Sequence, residues 1–301
     1  MESAFQPQEG INGTEDKKVA VKCRFCQSQN FIKKGIRNTE HRGKIQKFLC
    51  RDCNKYFTAD MGFFRMRNNE LKITKAIDLY FSNLSSRKVR NTYKRHEETK
   101  ISHVSVLDWC RKYTLKVQKY VNGFTPQLSG QLYADETEID RGRNNDVFWC
   151  SVDWGTRFIN ATLYSPNNQN IFEASVFFEK IKSISMPKFI QTDFAAFYPQ
   201  AFKDVFGKKA EHIRNNVSET GKHNVRIETV FSKIKDRVND FRGLKALWSA
   251  PILLAGIVLQ HNFIEEHTTI RDLPCERAGL RLDCGVNRWL GLIKLASITS
   301  Y

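Results

Sequence analysis

The chain has 301 residues, of which 41% are hydrophobic, 27% charged and 12% aromatic. That composition excludes wholesale disorder, collagen and a disulfide miniprotein, and it allows one large domain or two to three small ones. The formal net charge is +16 and it is lopsided: residues 1–130 hold 26 basic against 12 acidic side chains, whereas residues 131–301 hold 22 against 20. A basic front half joined to a balanced back half points to a polyanion-binding region attached to something else.

The first residues, Met1 to Gln8, have neither a basic start nor an apolar core, so no signal peptide is expected. Residues 1–18 are polar and are expected to lack fixed structure. The longest apolar run, Ala250 to Leu259, carries Pro251 and Gly256 and has ten residues, against the roughly 20 that span a bilayer. It reads as a buried helix, and no membrane partner is expected.

Residues 19–62 read as a zinc ribbon. Cys23-Arg-Phe-Cys26 and Cys50-Arg-Asp-Cys53 form two Cys-x-x-Cys pairs separated by 23 residues. A two-residue spacer lets one turn supply two thiolates, and four thiolates complete a tetrahedral shell around Zn²⁺ with no open position, so the metal is expected to be structural. Short strands are expected over Asn30–Lys34 and Lys44–Leu49.

Residues 68–122 read as three helices. Leu71, Ile73, Ile77, Leu79 and Tyr80 recur near helical spacing. Ser85 or Ser86 can cap a second helix from Arg87 to about Arg95, and Ser102 can cap a third reaching about Tyr120. Val106, Trp109, Cys110, Tyr113 and Val117 form its buried side. Short helix, turn and longer helix is the helix-turn-helix pattern. In this basic setting it is expected to bind DNA, with Ser102, His103, Ser105, Arg111 and Lys112 as candidate contacts.

Residues 121–130 look like a linker, and strands follow. Gln131–Ile139, Val147–Val152 and Phe158–Tyr164 form an antiparallel meander with turns at Arg141–Asp146 and Asp153–Arg157. A helix over Ile171 to about Ile184, a strand at Lys188–Thr192 and a helical stretch from Gly221 to Glu266 complete a mixed α/β (α+β) sheet with helices packed on it. Three acids fall at telling places. Asp135 lies in the first strand, Asp193 ends the fourth, and Glu228 lies in the late helix. First and fourth strands are neighbours in such a fold, so the acids can converge. Converging carboxylates need a divalent cation, and hard oxygen ligands suit Mg²⁺ or Mn²⁺. Strand alternation predicts that Glu136 points to the opposite face from Asp135.

The ordered set Asp135-Glu-Thr137, Val152-Asp-Trp-Gly155, Gln191-Thr-Asp193 with Tyr198, Asn224-x-x-x-Glu228, Lys235 with Arg237, Arg242-Gly243 and Asn262-Phe-Ile resembles the Asp-Asp-Glu transposases of insertion-sequence family six and their archaeal relatives. The likeness spans about residues 20 to 270. It implies a ribonuclease-H-like catalytic domain over residues 128–268, with Asp135, Asp193 and Glu228 as the metal-binding catalytic acids. It also implies DNA cleavage and strand transfer at element ends, a homodimer or higher oligomer, and a prokaryotic cytoplasmic setting. Residues 269–301 form an extension to which it assigns no role; Cys275 and Cys284 there are expected to be ordinary thiols.

Helix geometry fits that implication. Glu228, Ser232, Lys235, Asn239 and Arg242 form one polar stripe, and Ile227, Val230, Phe231, Ile234, Val238 and Phe241 the apolar side. Lys235 lies two turns from Glu228, where the family carries a basic residue, which resembles a DNA phosphate contact. His212 and His223 are expected to be plain surface or core histidines. Two rival readings are a water-using nuclease of the same fold and a non-catalytic DNA-binding regulator; four charged residues kept together argue against the latter.

Overall fold

The computed structural model describes residues 21–39, 43–59, 61–97, 100–141, 145–166, 169–214, 225–240, 244 and 246–298. The tail expected over residues 1–18, His223, Phe241 and Arg242 lie outside the described residues. The chain divides into two compact units, residues 1–60 and 61–300.

The first unit is an antiparallel sheet of β1 (Phe31–Thr39), β2 (Gly43–Cys50) and β3 (Tyr56–Thr58), in that order. The first two strands run longer than expected because pairing continues past a bulge between Lys33 and Ile36 out to Thr39↔Gly43. Phe31, Phe48 and Phe57 meet ring to ring at 5.0–5.6 Å. A core of that size does not stabilise a domain alone, so something must staple it.

The second unit opens with α1 (Glu70–Phe81), α2 (Ser86–His96) and α3 (His103–Val121). Asn69, Ser85 and Ser102 each accept a backbone N–H of the first turn and so cap these helices. Then come β4 (Gln131–Asp140), β5 (Asn145–Asp153), β6 (Ile159–Ser165), α4 (Ile171–Ile184), β7 (Phe189–Thr192), α5 (Tyr198–Phe206) and β8 (Glu211–Arg214). The end of the unit holds α6 (Val225–Asp240), α7 (Ala250–Leu259), a π-helical turn (Gln260–Ile264) and α8 (Arg288–Ile298). The sheet order is β6-β5-β4-β7-β8, with β4, β5 and β6 antiparallel and β7 and β8 parallel to β4. This is the ribonuclease-H-like arrangement.

Strand alternation divides the core between the two faces of the sheet. Leu132, Ala134 and Trp149 pack with Phe177 and Phe178 of α4 and Tyr198 and Phe202 of α5. Tyr133, Phe148 and Cys150 face the opposite way, into a larger core built by α6, α7, α8 and the three front helices. α7 is buried as its apolar run requires. Gly256 within it meets the Phe81 ring so closely that a Cβ there would stand 2.1 Å from Phe81 Cζ. Phe81 in turn stacks on Trp289 of α8 at 5.7 Å. The front helices, α7 and α8 therefore lock together through one glycine and two rings.

Two quoted motifs prove to be joints of this fold. The buried Asp153 carboxylate accepts hydrogen bonds from Ser129 Oγ, Gly130 N, Thr156 N and Thr156 Oγ1 at 2.8–3.1 Å, which shapes the β5–β6 turn. Asn262, presented by the π-helical turn, accepts from Ile159 N at 2.9 Å and donates to Ile159 O at 2.8 Å, so its amide acts as a surrogate strand for β6. Cys275 and Cys284 are free, buried thiols.

Candidate active site

Pairing between β4 and β7 runs Gln131↔Phe189, Leu132↔Ile190 and Tyr133↔Gln191, then stops. Asp135 and Asp193 each lie two residues past the last pair, so parallel register brings them level where the strands part. Carboxylate oxygens of Asp135, Asp193 and Glu136 all lie within 4.8 Å of one another. The inclusion of Glu136 corrects the sequence reading. Alternation does hold: Asp135 pairs with Cys150 of one core and Glu136 with Trp149 of the other. With β7 ended, no neighbouring strand separates the two faces at this edge, and both side chains reach round it to Asp193.

Hydrogen bonds fix the trio. Asp135 Oδ1 accepts from Glu136 N and Asp193 Oδ1 from Ala195 N, both at 2.9 Å. The Tyr198 hydroxyl donates to Glu136, which also accepts from the Gln169 amide. Tyr198 was legible as part of the motif set; Gln169 carried no signal in the sequence. Burial, together with the charges of Glu136, Asp193 and Glu228, pushes Asp135 up to about 8. Burial also raises Glu136, against the lowering effect of the Tyr198 hydrogen bond. Carboxylates this crowded repel, and a cation relieves the repulsion. Their oxygen-only donor set fits a hard divalent ion such as Mg²⁺ or Mn²⁺.

Glu228 lies in the first turn of α6 and is exposed. Its charge reaches Asp135, but its carboxylate is not among the three that lie within 4.8 Å. Ser232, Lys235 and Asn239 are exposed along the same helix and Ile227, Val230, Phe231, Ile234 and Val238 are buried, matching the stripe. Arg237, quoted beside Lys235, is buried instead: its guanidinium donates to both Glu265 oxygens at 2.8 Å and to Asn83.

On α3 the candidate DNA contacts separate. Ser102 is the N-cap, with its oxygen accepting from Ser105 N at 2.9 Å and lying 3.0 Å from Ser105 Oγ. Lys112 is exposed and reaches Met66 Sδ, while His103 is half-buried. Arg111 turns inward rather than outward. It donates to Ser249 Oγ at 2.8 Å, pairs with Asp108 and covers the Trp248 ring at 4.6 Å, because the start of α7 packs against this stretch of α3. His212 is held between Thr192 Oγ1, 2.9 Å away, and a stacked Phe202 ring, and burial lowers it to about 4.

In the first unit the four cysteine sulfurs gather within 4.8 Å of one another. Cys23 and Cys53 are 3.6 Å apart and Cys26 and Cys50 3.5 Å. Disulfide sulfurs sit at about 2.05 Å, whereas the edges of a zinc–thiolate tetrahedron with bonds of about 2.3 Å are roughly 3.8 Å. The set therefore fits a tetrahedral zinc, and the unit has the form of a zinc ribbon.

The sheet order, with Asp135 inside β4 level with Asp193 just past the end of β7, defines a ribonuclease-H-like domain. Residues 130–267 match the family model DDE_Tnp_IS240, described as a DDE domain. This part of the chain is similar to a DDE domain. No curated protein matches the chain. Among solved structures it is similar to the HTLV-2 integrase catalytic core domain in complex with magnesium, with a TM-score of 0.39 and 15% identity over 52% of this chain and 98% of that one. It is also similar to a chain of the simian T-cell lymphotropic virus intasome in complex with PP2A regulatory subunit B56 gamma. There the TM-score is 0.38 and the identity 14%, over 50% of this chain and 53% of that one. For the catalytic core domain of BIV integrase the values are 0.36 and 13%, over 50% and 93%. The chain spans about half the length of the intasome chain.

Proposed function

We propose that the protein is the transposase of an insertion sequence, cutting DNA at the element ends and joining those ends to target DNA. The observation that carries this reading is the convergence of Asp135 and Asp193 where β4 and β7 part, inside a segment that matches a DDE domain. In this reading Asp135, Asp193 and Glu228 hold divalent ions, with Glu228 closing onto the other two when the ions and DNA enter. Two bound ions would activate the attacking oxygen and stabilise the leaving oxygen of a phosphodiester. The chain's own part is placement. Backbone N–H groups orient Asp135 and Asp193, and Tyr198 and Gln169 hold Glu136 beside them. Lys235, two turns along the exposed face of α6, contacts a DNA phosphate.

The front of the chain supplies DNA binding. Its excess of basic residues meets the phosphate backbone, the four-cysteine unit holds a structural zinc, and His103, Ser105 and Lys112 lie on the DNA side of a helix-turn-helix. Two ends must be processed together, so the working form is a dimer or larger. Among the described residues no helix is long and apolar enough to cross a membrane.

The test is cleavage and joining of labelled end DNA with Mg²⁺ or Mn²⁺, alongside a binding assay. Asp193→Asn and Glu228→Gln should abolish both reactions and leave binding largely intact. Normal joining by the Glu228→Gln protein would refute the assignment. Cleavage by the wild type without any joining would make it a nuclease.

A further inference from the structure

We infer that Phe194 and Arg214 form a platform that stacks one unpaired nucleobase of the DNA beside the scissile phosphate; this rests on the transposase reading above. Phe194 directly follows Asp193, and it is 52% exposed. A single exposed apolar ring is common on protein surfaces; what sets Phe194 apart is its place directly after Asp193 and beneath a guanidinium. Its position is held firmly from both sides. Ala195 N donates to Asp193 Oδ1 and pins the bend on one side. On the other, Arg214 Nη2 donates to Phe194 O at 2.6 Å. Arg214 pairs with Thr192 across β7 and β8, and its guanidinium lies over the Phe194 ring, 3.8 Å from the centroid. One ring face is thus backed by a cation, and the exposed part of the residue is left for a ligand.

The ligand class follows from the chemistry. A flat apolar surface stiffened by a guanidinium favours another flat π-system, and the positive charge suits a polyanion. In the proposed reaction Asp193, one residue away, would help to hold the divalent ions that meet the phosphodiester, and the neighbouring nucleotide of that strand carries the nearest base. A base reaches the ring face only after leaving its own stack. The platform therefore holds open the base pair at the cleavage point and so frees the backbone to enter the acid cluster.

The test uses the full chain and duplexes copied from the DNA bordering the gene, with 2-aminopurine placed in turn at each nucleotide around the cleavage point. In a Glu228→Gln background, which stops turnover, binding should raise fluorescence at one position only. Phe194→Ala and Phe194→Leu should remove that rise, and Phe194→Trp should keep it. In the otherwise wild-type chain, Phe194→Ala should slow cleavage by about 5- to 150-fold, the loss of one stacked base. An abasic nucleotide at the responding position should bring the two proteins to the same rate. Because the ring is exposed, these variants should fold normally. An unchanged fluorescence rise with Phe194→Ala, or full cleavage activity with Phe194→Leu, would overturn the platform while leaving the transposase intact. A wild-type chain that neither binds nor cuts end DNA would overturn the transposase reading and this inference with it.

Discussion

Asp135→Asn tests the site without changing its shape. In the metal-free protein, burial and the three neighbouring acids push Asp135 up to about 8 from 3.8. Each unit of such a shift corresponds to about 1.36 kcal/mol, so ionised Asp135 opposes folding by at most about 6 kcal/mol. The folded protein keeps the Asp135 proton where the unfolded chain has already lost it. That stabilisation is fully present below about pH 4 and is lost as pH rises through about 8. An Asn side chain does not titrate. Metal-free Asp135→Asn should therefore match the wild type near pH 4 and become the more stable protein above pH 8. The difference should be at least about 2 kcal/mol, or several degrees of melting temperature for a unit of this size. The assay is denaturant unfolding at a series of pH values, with and without Mn²⁺. Divalent ions should stabilise the wild type above pH 7 and leave the variant unmoved, while end cleavage disappears. A variant less stable than the wild type at pH 8.5, or stabilised by Mn²⁺ to the same extent, would refute the account of the cluster.

Cys23→Ser or Cys50→Ser should lose one tightly bound zinc per chain and unfold residues 21–59, with the melting of residues 61–300 unchanged; elemental analysis and calorimetry check this. Gly256→Ala should destabilise the second unit by up to about 2 kcal/mol, measured by denaturant unfolding. The new methyl group meets the Phe81 ring at 2.1–2.9 Å, and overpacking of about 1–3 kcal/mol exceeds the gain in helix propensity of about 1 kcal/mol. A fragment starting at residue 126 should aggregate on expression. It strips Tyr80, Phe81, Trp109 and Tyr113 from the core they share with α7 and α8; a soluble, cooperatively melting fragment would count against that shared core.

Local chemistry made much of this protein legible in its sequence. The Cys-x-x-Cys spacing marked the sulfur cluster, because one turn can present two ligands whatever surrounds it. Ser102 marked one helix start and the pair Ser85 and Ser86 another, of which Ser85 is the cap, because capping is settled within three residues. The meander and the placing of Asp135 and Asp193 followed from alternating strands and their order. Only the tertiary structure decided the rest. Glu136 joins the acids because β7 stops one residue short of Asp193, an end that periodicity does not reveal. Arg111 and Arg237 are basic residues on helices, like Lys112 and Lys235. They turn inward because Ser249 and Trp248 in one case, and Glu265 and Asn83 in the other, arrive from distant parts of the chain. The front helices share a core with the sheet because Gly256 lets Phe81 approach and Trp289 covers it. Spacing along a chain determines what one element can present; which neighbour meets it depends on contacts between separate elements, from 28 positions apart for Arg237 and Glu265 to 154 for Arg237 and Asn83.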